Sequence, residues 1–338
     1  MNRYIRQLAL PEIDLLKQER LSQSHILMVG AGGLGTAALP YLAGAGIGQI
    51  TIADHDDIDI TNIHRQTIYK TTDTGQNKAE RTTEYLRALN PDTKVNILTQ
   101  KITSDNVPSG TFDLILDGSD NFETKALLNE LSLTLQTPLI TASVNQWSGQ
   151  LGIFEGYKAD QACYRCLFPE FPTDAKNCNE AGILGTSAGI IGTLQAHLTL
   201  LKLLDMNEHQ FLSIDLKTIR ISALNVPKDT SCTHCKNITR DIKTRKENAI
   251  MVDLISKEDL DENTCIIDVR EAEELDADPL PLEALHIPLP ELIARLDELP
   301  ENKPLAFICA GNIRSRQAAE YLAAQGRDNV YVLDKFSL

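Results

Sequence analysis

Short runs of apolar residues recur along the chain and alternate with segments of helical periodicity. His25–Val29 and Gln49–Ala53 are the first two runs, with a Gly- and Ala-rich segment between them. Residues 112–116 and 138–142 are further runs, separated by the helical pattern TKALLNELSLTLQ. Uninterrupted apolar runs are typical of strands buried on both faces of a parallel sheet. The pattern therefore predicts an α/β fold with a doubly wound, mostly parallel sheet of Rossmann type.

A second set of apolar runs follows a polar, basic segment at residues 236–248. The runs CIIDV, PLAFICA and VYVLD have the length of buried strands, and PELIARLDEL and SRQAAEYLAAQG between them have helical periodicity. Because residues 236–248 lack apolar periodicity, we interpret them as a linker. The sequence thus predicts a larger domain at residues 1–235 and a smaller α/β domain at residues 249–338.

Residues 183–204 form a nearly uncharged segment that is long enough to raise the question of a membrane span. The segment contains Ser187, Gln195, His197 and Lys202, and polar or charged groups are costly in lipid. We therefore interpret the segment as a helix buried in the protein. A transmembrane helix is the alternative, and we expect no association with membranes.

Composition and charge narrow the range of partners. The chain has 338 residues, of which 42% are hydrophobic and 23% charged, as in ordinary globular proteins. Its formal net charge of −15 disfavours nonspecific binding to nucleic acid, because that binding depends on Lys and Arg that neutralise phosphates. The first residues lack the long apolar core of a secretory signal, so we expect a cytoplasmic protein.

A glycine-rich loop follows the first predicted strand. It reads GAGGLG and contains Gly30, Gly32, Gly33 and Gly35. Between a strand and a helix, such glycines let backbone amides approach a phosphate at the start of the helix. Asp54 ends the second strand, where a carboxylate would accept hydrogen bonds from ribose hydroxyls. These features alone are equally typical of a nicotinamide-dependent dehydrogenase.

The motifs that come next indicate chemistry at a phosphate rather than hydride transfer. NIHRQ begins at Asn62, GQNK ends at Lys78, and GSDN ends with Asp120 and Asn121. A reaction at the α-phosphate of ATP requires cations against the phosphate charge and a carboxylate that holds Mg²⁺. Arg65, Lys78 and Asp120 would supply these groups.

Taken together, the motifs closely resemble those of the MoeB/ThiF family, the bacterial relatives of ubiquitin-activating enzymes. The resemblance extends from Arg3 to about Lys236 and includes, in order, RYIRQ, VGAGGLG, D-x-x-x-x-x-x-x-N-x-x-R-Q, GQNK, GSDN, CYRC and CTHC. It implies adenylation of the C-terminal glycine carboxylate of a small ubiquitin-like sulfur-carrier protein that ends in Gly-Gly. ATP and Mg²⁺ would be the cofactors, and the carrier would belong to a molybdopterin or thiamine type of pathway.

The same resemblance implies roles for individual residues. Those that would bind ATP and magnesium are Gly33, Asp54, Asn62, Arg65, Lys78, Asp120 and Asn121. Arg6 would reach the ATP of a partner chain, so a homodimer is expected. Each residue also has a simpler alternative: Arg6 and Lys78 as solvated surface charges, and Asp120 as the N-cap of the following helix. The order of the motifs favours the functional interpretation.

Four cysteines form two C-x-x-C pairs, Cys163 with Cys166 and Cys232 with Cys235. Each pair can place two thiolates on one tetrahedral Zn²⁺, and two pairs complete a four-cysteine site. Such a closed site has no open coordination position, so the zinc should stabilise the fold and take no part in catalysis. A thioredoxin-like redox pair is the alternative, although it would need only one C-x-x-C before a helix.

Two other cysteines are candidate nucleophiles. Cys178 lies in NCNEAG, ahead of the long apolar helix, and resembles the family's cysteine that can bond covalently to the carrier. The alternative is that Cys178 is a loop thiol without a function.

Cys309 begins the loop CAGNIRS between a buried strand and a helix, where backbone amides and Arg314 can stabilise its thiolate. Cys265 fits plain core packing.

The Cys309 loop, with the motif DVRE at residues 268–271, resembles the active loop of rhodaneses. Arg314 follows the cysteine one position earlier than in the related phosphatase loop, so sulfur transfer is favoured over phosphate hydrolysis. Asn312 occupies a position where rhodaneses often have glycine, and Asn tolerates a left-handed backbone better than most residues. The resemblance implies a C-terminal rhodanese-like domain.

These observations lead to a two-step hypothesis. The carrier's terminal carboxylate attacks the α-phosphorus of ATP, with Arg65 and Lys78 offsetting the developing charge. A persulfide on Cys309 then attacks the activated carbonyl and leaves a thiocarboxylate, with sulfur from a cysteine desulfurase or a small sulfane donor. The alternatives are an adenylyltransferase with an inert rhodanese-like domain, a silent scaffold that binds ubiquitin-like tails, and, more remotely, a dehydrogenase.

Overall fold

The chain folds into two compact units. The computed structural model describes residues 3–108, 110–170, 182–207, 211–236 and 252–338. The larger unit is Arg20–Lys243, and the smaller unit combines Met1–Glu19 with Thr244–Leu338. Residues 237–248 of the predicted linker lie outside the described residues, and so does Cys178.

An eight-stranded sheet forms the centre of the larger unit. Its strands are β1 (His25–Val29), β2 (Gln49–Ala53), β3 (Lys94–Leu98), β4 (Leu114–Asp117), β5 (Leu139–Asn145), β6 (Ser148–Phe154), β7 (Phe211–Asp215) and β8 (Arg220–Leu224). The strand order is β3-β2-β1-β4-β5-β6-β7-β8. Pairing is parallel from β3 to β5, and β6, β7 and β8 add antiparallel strands at one edge. This arrangement confirms the predicted mostly parallel α/β sheet.

Helices follow the strands, as expected for a doubly wound fold. In chain order the α-helices are α1 (Ile5–Leu8), α2 (Leu15–Gln23), α3 (Gly35–Gly44), α4 (Lys78–Leu89), α5 (Phe122–Leu135), α6 (Tyr164–Leu167), α7 (Gly185–Leu203), α8 (Ala272–Ala277) and α9 (Ile313–Ala324). The Asn77 side chain accepts a hydrogen bond of 3.2 Å from the Glu80 amide and so fixes the start of α4. Gln136 ends α5 in a left-handed conformation, with a φ of 53°.

The apolar helix α7 packs inside the larger unit. Gln195, which is fully buried, donates hydrogen bonds to the carbonyl oxygens of Asp117 at 2.8 Å and Ile140 at 3.3 Å. The absence of a side chain at Gly192 permits close approach, because a Cβ there would lie 2.8 Å from the Cβ of Ala37 in α3. In the ranges that the structure describes, no helix combines the length and apolar character needed to span a membrane.

The smaller unit contains a parallel five-stranded sheet. Its strands are β9 (Asp253–Ile255), β10 (Cys265–Asp268), β11 (Leu285–His286), β12 (Leu305–Ile308) and β13 (Val330–Leu333), in the order β11-β10-β12-β13-β9. The three strands predicted from CIIDV, PLAFICA and VYVLD are present. The segment PELIARLDEL forms a 3-10 helix at Leu289–Glu298, interrupted at Arg295, where the backbone is not helical.

The N-terminal segment belongs to the core of the smaller unit. Leu8 and Leu15 are buried in the same apolar cluster as Phe307 and Val332, from two of its strands. Glu19 accepts hydrogen bonds of 2.9 and 3.1 Å from the Gln325 side chain, just after α9. Two leucines from the predicted domain at residues 1–235 thus bury their side chains with C-terminal residues, and the domain boundaries themselves stay a prediction.

Candidate active sites

The glycine-rich loop joins β1 to α3 at the carboxyl end of the larger sheet. Gly30 has a φ of +99°, and a Cβ there would lie 2.8 Å from the carbonyl oxygen of Gly118. Gly35 opens α3, while Gly32 and Gly33 face a cavity. The loop is therefore a bare backbone surface at the start of a helix, suited to an anionic ligand.

The cavity has a volume of about 1240 Å³. The predicted site residues that line it are Gly30, Gly32, Gly33, Asp54, Asn62, Arg65, Lys78, Asp120 and Asn121. Its lining continues onto the antiparallel part of the sheet through Ser143, Asn145 and Gln150. Residues far apart in the chain thus surround one space, although Gly35 is not part of the lining, and their roles at ATP stay a prediction.

Asp54 is part of the wall and also braces the glycine-rich loop. Its carboxylate accepts hydrogen bonds from the amides of Ala31 at 2.6 Å and Asp56 at 2.9 Å. Burial raises the pKa of Asp54, while Lys78 acts in the opposite direction. Tyr69 adds a second brace, because its hydroxyl donates to the Ala31 carbonyl oxygen at 2.8 Å.

The two predicted cations occupy different environments. The Lys78 side chain is only 7% exposed, and its Nζ lies 2.8 Å from Asp56 Oδ2, so its interpretation as a solvated surface charge is wrong. The Arg65 guanidinium donates to Asn62 Oδ1 at 3.0 Å and to the Thr61 carbonyl oxygen at 3.1 Å. Asn62 therefore orients Arg65 at the cavity wall.

Asp120 and Asn121 share the turn between β4 and α5. Asn121 is the N-cap of α5, since its side chain accepts a hydrogen bond of 2.9 Å from the Thr124 amide. The alternative that Asp120 caps this helix is therefore wrong. Asp120 is exposed and lines the cavity, and its carboxylate is 3.4 Å from Asn121 Nδ2.

A buried ion pair beneath this turn was not predicted. Lys125 Nζ lies 2.5 Å from Asp117 Oδ2 and 3.0 Å from the Ala142 carbonyl oxygen, and both charged side chains are almost wholly buried. The other Asp117 oxygen accepts from the amide of Ser119 at 2.9 Å and from its hydroxyl at 2.5 Å. The pair thereby fixes the turn that carries Asp120. Lys125 lies in the helical pattern TKALLNEL, which gives no sign of a buried charge.

The four cysteines of the two C-x-x-C pairs form one cluster. Their sulfur atoms all lie within 4.8 Å of one another. The Sγ atom of Cys163 is 3.8 Å from that of Cys166 and 3.7 Å from that of Cys232, and Cys166 and Cys235 are 3.5 Å apart. Sulfur ligands at about 2.3 Å from a tetrahedral metal ion would be about 3.8 Å apart. The cluster thus has the dimensions of a four-thiolate metal site.

Burial opposes ionisation at three of these thiols, although at Cys232 hydrogen bonds from the backbone of His234 and Cys235 outweigh it and lower the pKa. Burial raises the pKa of Cys235 to about 12, and the neighbouring Cys166 adds to the effect. Burial and the charges of the other cysteines also raise the pKa of Cys163. Thiolates in this position need a compensating positive charge, which a bound cation supplies.

Cys309 follows β12 and is 1% exposed. Its Sγ atom lies 3.3 Å from the Ser315 hydroxyl and accepts a hydrogen bond of 3.4 Å from the Ser315 amide. Burial opposes ionisation, yet hydrogen bonds from Ser315 and from the amides of Gly311 and Arg314 lower the pKa of Cys309. The loop is therefore built to hold a thiolate.

Arg314 supplies its amide to this loop while its side chain is paired elsewhere. The guanidinium forms two hydrogen bonds with Glu274, at 2.6 and 2.7 Å, and this pairing lowers the pKa of Glu274 to about 2. Arg314 therefore brings its charge to the loop as part of an ion pair, and its role at Cys309 stays a prediction. Asn312 has a φ of 61°, so the expected left-handed backbone is present.

For two predicted residues, Arg6 and Cys178, the described structure provides no test of the expected role. Arg6 is on α1 in the smaller unit and is absent from the described lining of the cavity. Its role at the ATP of a partner chain stays a prediction. Cys178 falls outside the described residues, so its role also stays a prediction.

Comparison with known proteins decides between the families that share this sheet. The model of the ThiF family matches residues 4–234, and that of the rhodanese-like domain matches residues 250–336. The chain belongs to the ThiF family. It carries a rhodanese-like domain at its C-terminal side. A ThiF-family core excludes the nicotinamide-dependent dehydrogenase that the glycine-rich loop alone would allow.

Two relatives of this ThiF-family chain are named as adenylyltransferases. The sulfur carrier protein ThiS adenylyltransferase of Escherichia coli (strain K12) is 41% identical over 204 residues, covering 60% of this chain and 80% of that protein. The adenylyltransferase and sulfurtransferase MOCS3 of Anopheles gambiae is 32% identical over 365 aligned positions, covering 96% of this chain and 82% of that protein. The second relative therefore matches both units.

Solved structures confirm the fold of the ThiF-family part. The crystal structure of E. coli MccB with ATP has a TM-score of 0.62 to this chain at 22% identity. The match covers 70% of this chain and 75% of MccB. At this level of identity, the likeness supports the adenylation fold alone.

Proposed function

We propose that this chain uses ATP to adenylate the C-terminal carboxylate of a ubiquitin-like sulfur-carrier protein and then transfers sulfur to it. The observation that carries the proposal is the convergence of Arg65, Lys78 and Asp120 on one cavity beside the glycine-rich loop. The names of the E. coli and mosquito relatives agree with this function. A thiolate-stabilising Cys309 loop in the same chain supports the second step.

In the first step, the residues around the cavity bind ATP and offset its charge. Amides of the glycine-rich loop face the phosphates, and Asp54 holds that loop in place. Arg65 and Lys78 stabilise the negative charge that develops when the carrier carboxylate attacks the α-phosphorus and pyrophosphate leaves. Asp120, exposed at the cavity, is the carboxylate that would hold Mg²⁺, which neutralises phosphate charge when bound.

In the second step, Cys309 delivers sulfur. A persulfide on Cys309 attacks the carbonyl of the carrier adenylate, AMP leaves, and the sulfur that joins the carbonyl becomes a thiocarboxylate once the link to Cys309 is cleaved by a thiol. Hydrogen bonds in the loop lower the pKa of the Cys309 thiol and so favour the thiolate that accepts sulfur when the persulfide forms. A cysteine desulfurase or a small sulfane compound would load the persulfide.

We assign Zn²⁺ to the four-cysteine cluster, because its sulfur separations of 3.5 to 3.8 Å fit a tetrahedral ion. Cys163, Cys166, Cys232 and Cys235 fill the coordination shell, so the ion ties the 163–166 segment to the 232–235 segment and leaves no position for a substrate. The site is structural in this proposal.

The partners follow from the same chemistry. The carrier needs a slender, flexible C-terminus such as Gly-Gly, because its carboxylate has to enter the cavity alongside ATP. A volume of about 1240 Å³ exceeds the usual range for one small ligand, about 300–1,000 Å³, and accommodates both. We also propose a cytoplasmic homodimer in which Arg6 serves the partner's ATP.

Carrier-dependent exchange of pyrophosphate into ATP tests this function. Alanine at Asp120 or Arg65 should slow the exchange about a hundredfold, the effect of removing one contact to charge in the transition state. Lys101→Ala is a matched control, because Lys101 borders the cavity but pairs with Glu123 on the surface. Near-normal exchange in both site variants would reject the assignment.

A further inference from the structure

The cations near the Cys309 loop are held by carboxylates of the same unit. Arg314 in α9 is paired through both terminal nitrogens with Glu274 of α8. Further cation–carboxylate pairs in the described part of this unit include Arg316 with Glu320 in α9, Arg270 with Asp268, and Lys335 with Asp278. The positive charge that a sulfur donor would meet is thus already compensated.

Two further carboxylates add negative charge near the loop. Glu271 lies near enough to Arg314 to raise the pKa of that guanidinium, after the larger effect of Glu274. Asp334 accepts a hydrogen bond of 2.9 Å from the side chain of Asn312 in the loop. Two carboxylates beyond those paired with cations, Glu271 and Asp334, thus lie close to the loop.

The charges near the loop affect which donor can load sulfur onto Cys309. With thiosulfate, the Cys309 thiolate attacks the outer sulfur, the S–S bond breaks, and its electron pair leaves with sulfite, so that Cys309 keeps a persulfide. Thiosulfate carries two negative charges, which an anionic surrounding repels. A donor of lower charge makes the same attack and sulfur transfer without that penalty.

We propose that Glu274 determines donor specificity: by neutralising Arg314, it makes the loop select sulfane donors of low negative charge, such as a cysteine persulfide, over dianionic thiosulfate. This inference rests on the sulfur-transfer step of the proposed function. Glu274 acts on the donor through Arg314, so it is a specificity residue that need not touch the reacting sulfur.

The test uses the full chain, with thiosulfate and methanethiosulfonate as donors and cyanide as acceptor. Both donors present an outer sulfur on an oxidised sulfur atom, but methanethiosulfonate carries one negative charge instead of two. Cyanide removes the sulfur from Cys309 as thiocyanate and restores the thiolate. The ratio of kcat/KM for the two donors therefore isolates the effect of donor charge.

Glu274→Gln removes one charge and keeps an oxygen that accepts from Arg314. We expect its kcat/KM for thiosulfate to rise about tenfold more than for methanethiosulfonate, the scale of one additional charge at short range. Glu273→Gln is the matched control, because Glu273 is exposed on the same helix and should leave the ratio unchanged. An unchanged ratio in a folded Glu274→Gln protein overturns the inference.

If Glu274→Gln does not fold, the salt dependence of kcat/KM in the unaltered protein tests the inference. Added KCl screens repulsion, so it should raise kcat/KM more for thiosulfate than for methanethiosulfonate. An equal response of both donors, or a fall for thiosulfate, overturns the inference. Mass spectrometry separates this failure from failure of the proposed function: if neither donor adds about 32 mass units at Cys309, sulfur transfer itself is rejected and the inference with it.

Discussion

The two candidate sites of this chain are built in different ways. The cavity beside the glycine-rich loop collects side chains from segments spread between Val29 and Ala188. The thiolate site lies within one continuous loop from Cys309 to Ser315, whose amides point at a single sulfur. A reaction between two large substrates needs side chains from several segments. Activation of one sulfur atom needs only the amides of a single loop.

The ion pairs beside the two candidate sites differ in their exposure to water. Below the cavity, Lys125 and Asp117 are 5% and 0% exposed, so their charges have little access to water. Beside the loop, Arg314 and Glu274 are 30% and 37% exposed. The first pair should therefore matter mainly for folding and the second mainly for the electrostatics of the loop.

Replacement of Cys309 gives the sharpest separation of the two sites. Cys309→Ala should abolish thiocarboxylate formation while pyrophosphate exchange continues, because the cavity contains no group from that loop. The carrier should fail to gain about 16 mass units, the change from oxygen to sulfur. Cys265→Ala, at another thiol of the smaller unit, should still yield product. Product formation by Cys309→Ala at the normal rate would instead support an inert rhodanese-like domain.

The contrast between the ion pairs predicts unequal losses of stability. Lys125→Met leaves Asp117 as a buried, uncompensated charge and should lower the free energy of unfolding by about 3–5 kcal/mol. Glu274→Gln, at the partly exposed pair, should cost under about 1 kcal/mol. Denaturant unfolding measures both, and the double variant Lys125→Met/Asp117→Leu should recover much of the first loss. Equal effects at the two pairs would remove the distinction.

Metal removal should affect the larger unit alone. Freshly purified protein should contain about one zinc per chain, and Cys232→Ser should lower the free energy of unfolding by about 3 kcal/mol, or about 6–12 °C in the Tm of a unit of this size. Ser231→Ala, next to the cluster, serves as the control. Protein that contains no zinc and keeps its Tm with a chelator would contradict the assignment.

The smallest effect concerns the titration of Cys309. Because hydrogen bonds lower its pKa, alkylation by iodoacetamide should rise with pH and reach half its maximum below about 8.5, the value of a free thiol. Ser315→Ala removes one of those hydrogen bonds and should move the midpoint to higher pH. A midpoint at or above that of a free cysteine would show that the loop does not stabilise the thiolate.

The sequence predicted those parts of the fold that continuous patterns encode. The bounds of β1 and β2 agree with the predicted strands because these strands are uninterrupted apolar runs. By contrast, β8 is exposed along its whole length and has no apolar pattern to identify it. The kinked 3-10 helix at Leu289–Glu298 shares its periodicity with an α-helix, so the pattern could not separate the two.

The candidate sites, like the fold, were predicted from the sequence only in part. Motifs identified many of the residues that line the cavity, because a glycine-rich loop after a strand and short runs such as NIHRQ and GQNK are local signals. The partners of those residues, such as Asp56 for Lys78 and Glu274 for Arg314, depend on distances between segments that no spacing reveals. Likewise, nothing in the first residues indicated that Leu8 and Leu15 are buried with C-terminal strands.

That shared core has a consequence for synthesis on the ribosome. Val252, a buried residue of the same cluster, follows Leu15 by roughly 240 positions, which takes on the order of 10 to 50 s of translation. During this interval the two leucines have no native neighbours from the C-terminal strands. A change at Leu8 or Leu15 should therefore slow folding of the smaller unit, although most of that unit is synthesised last.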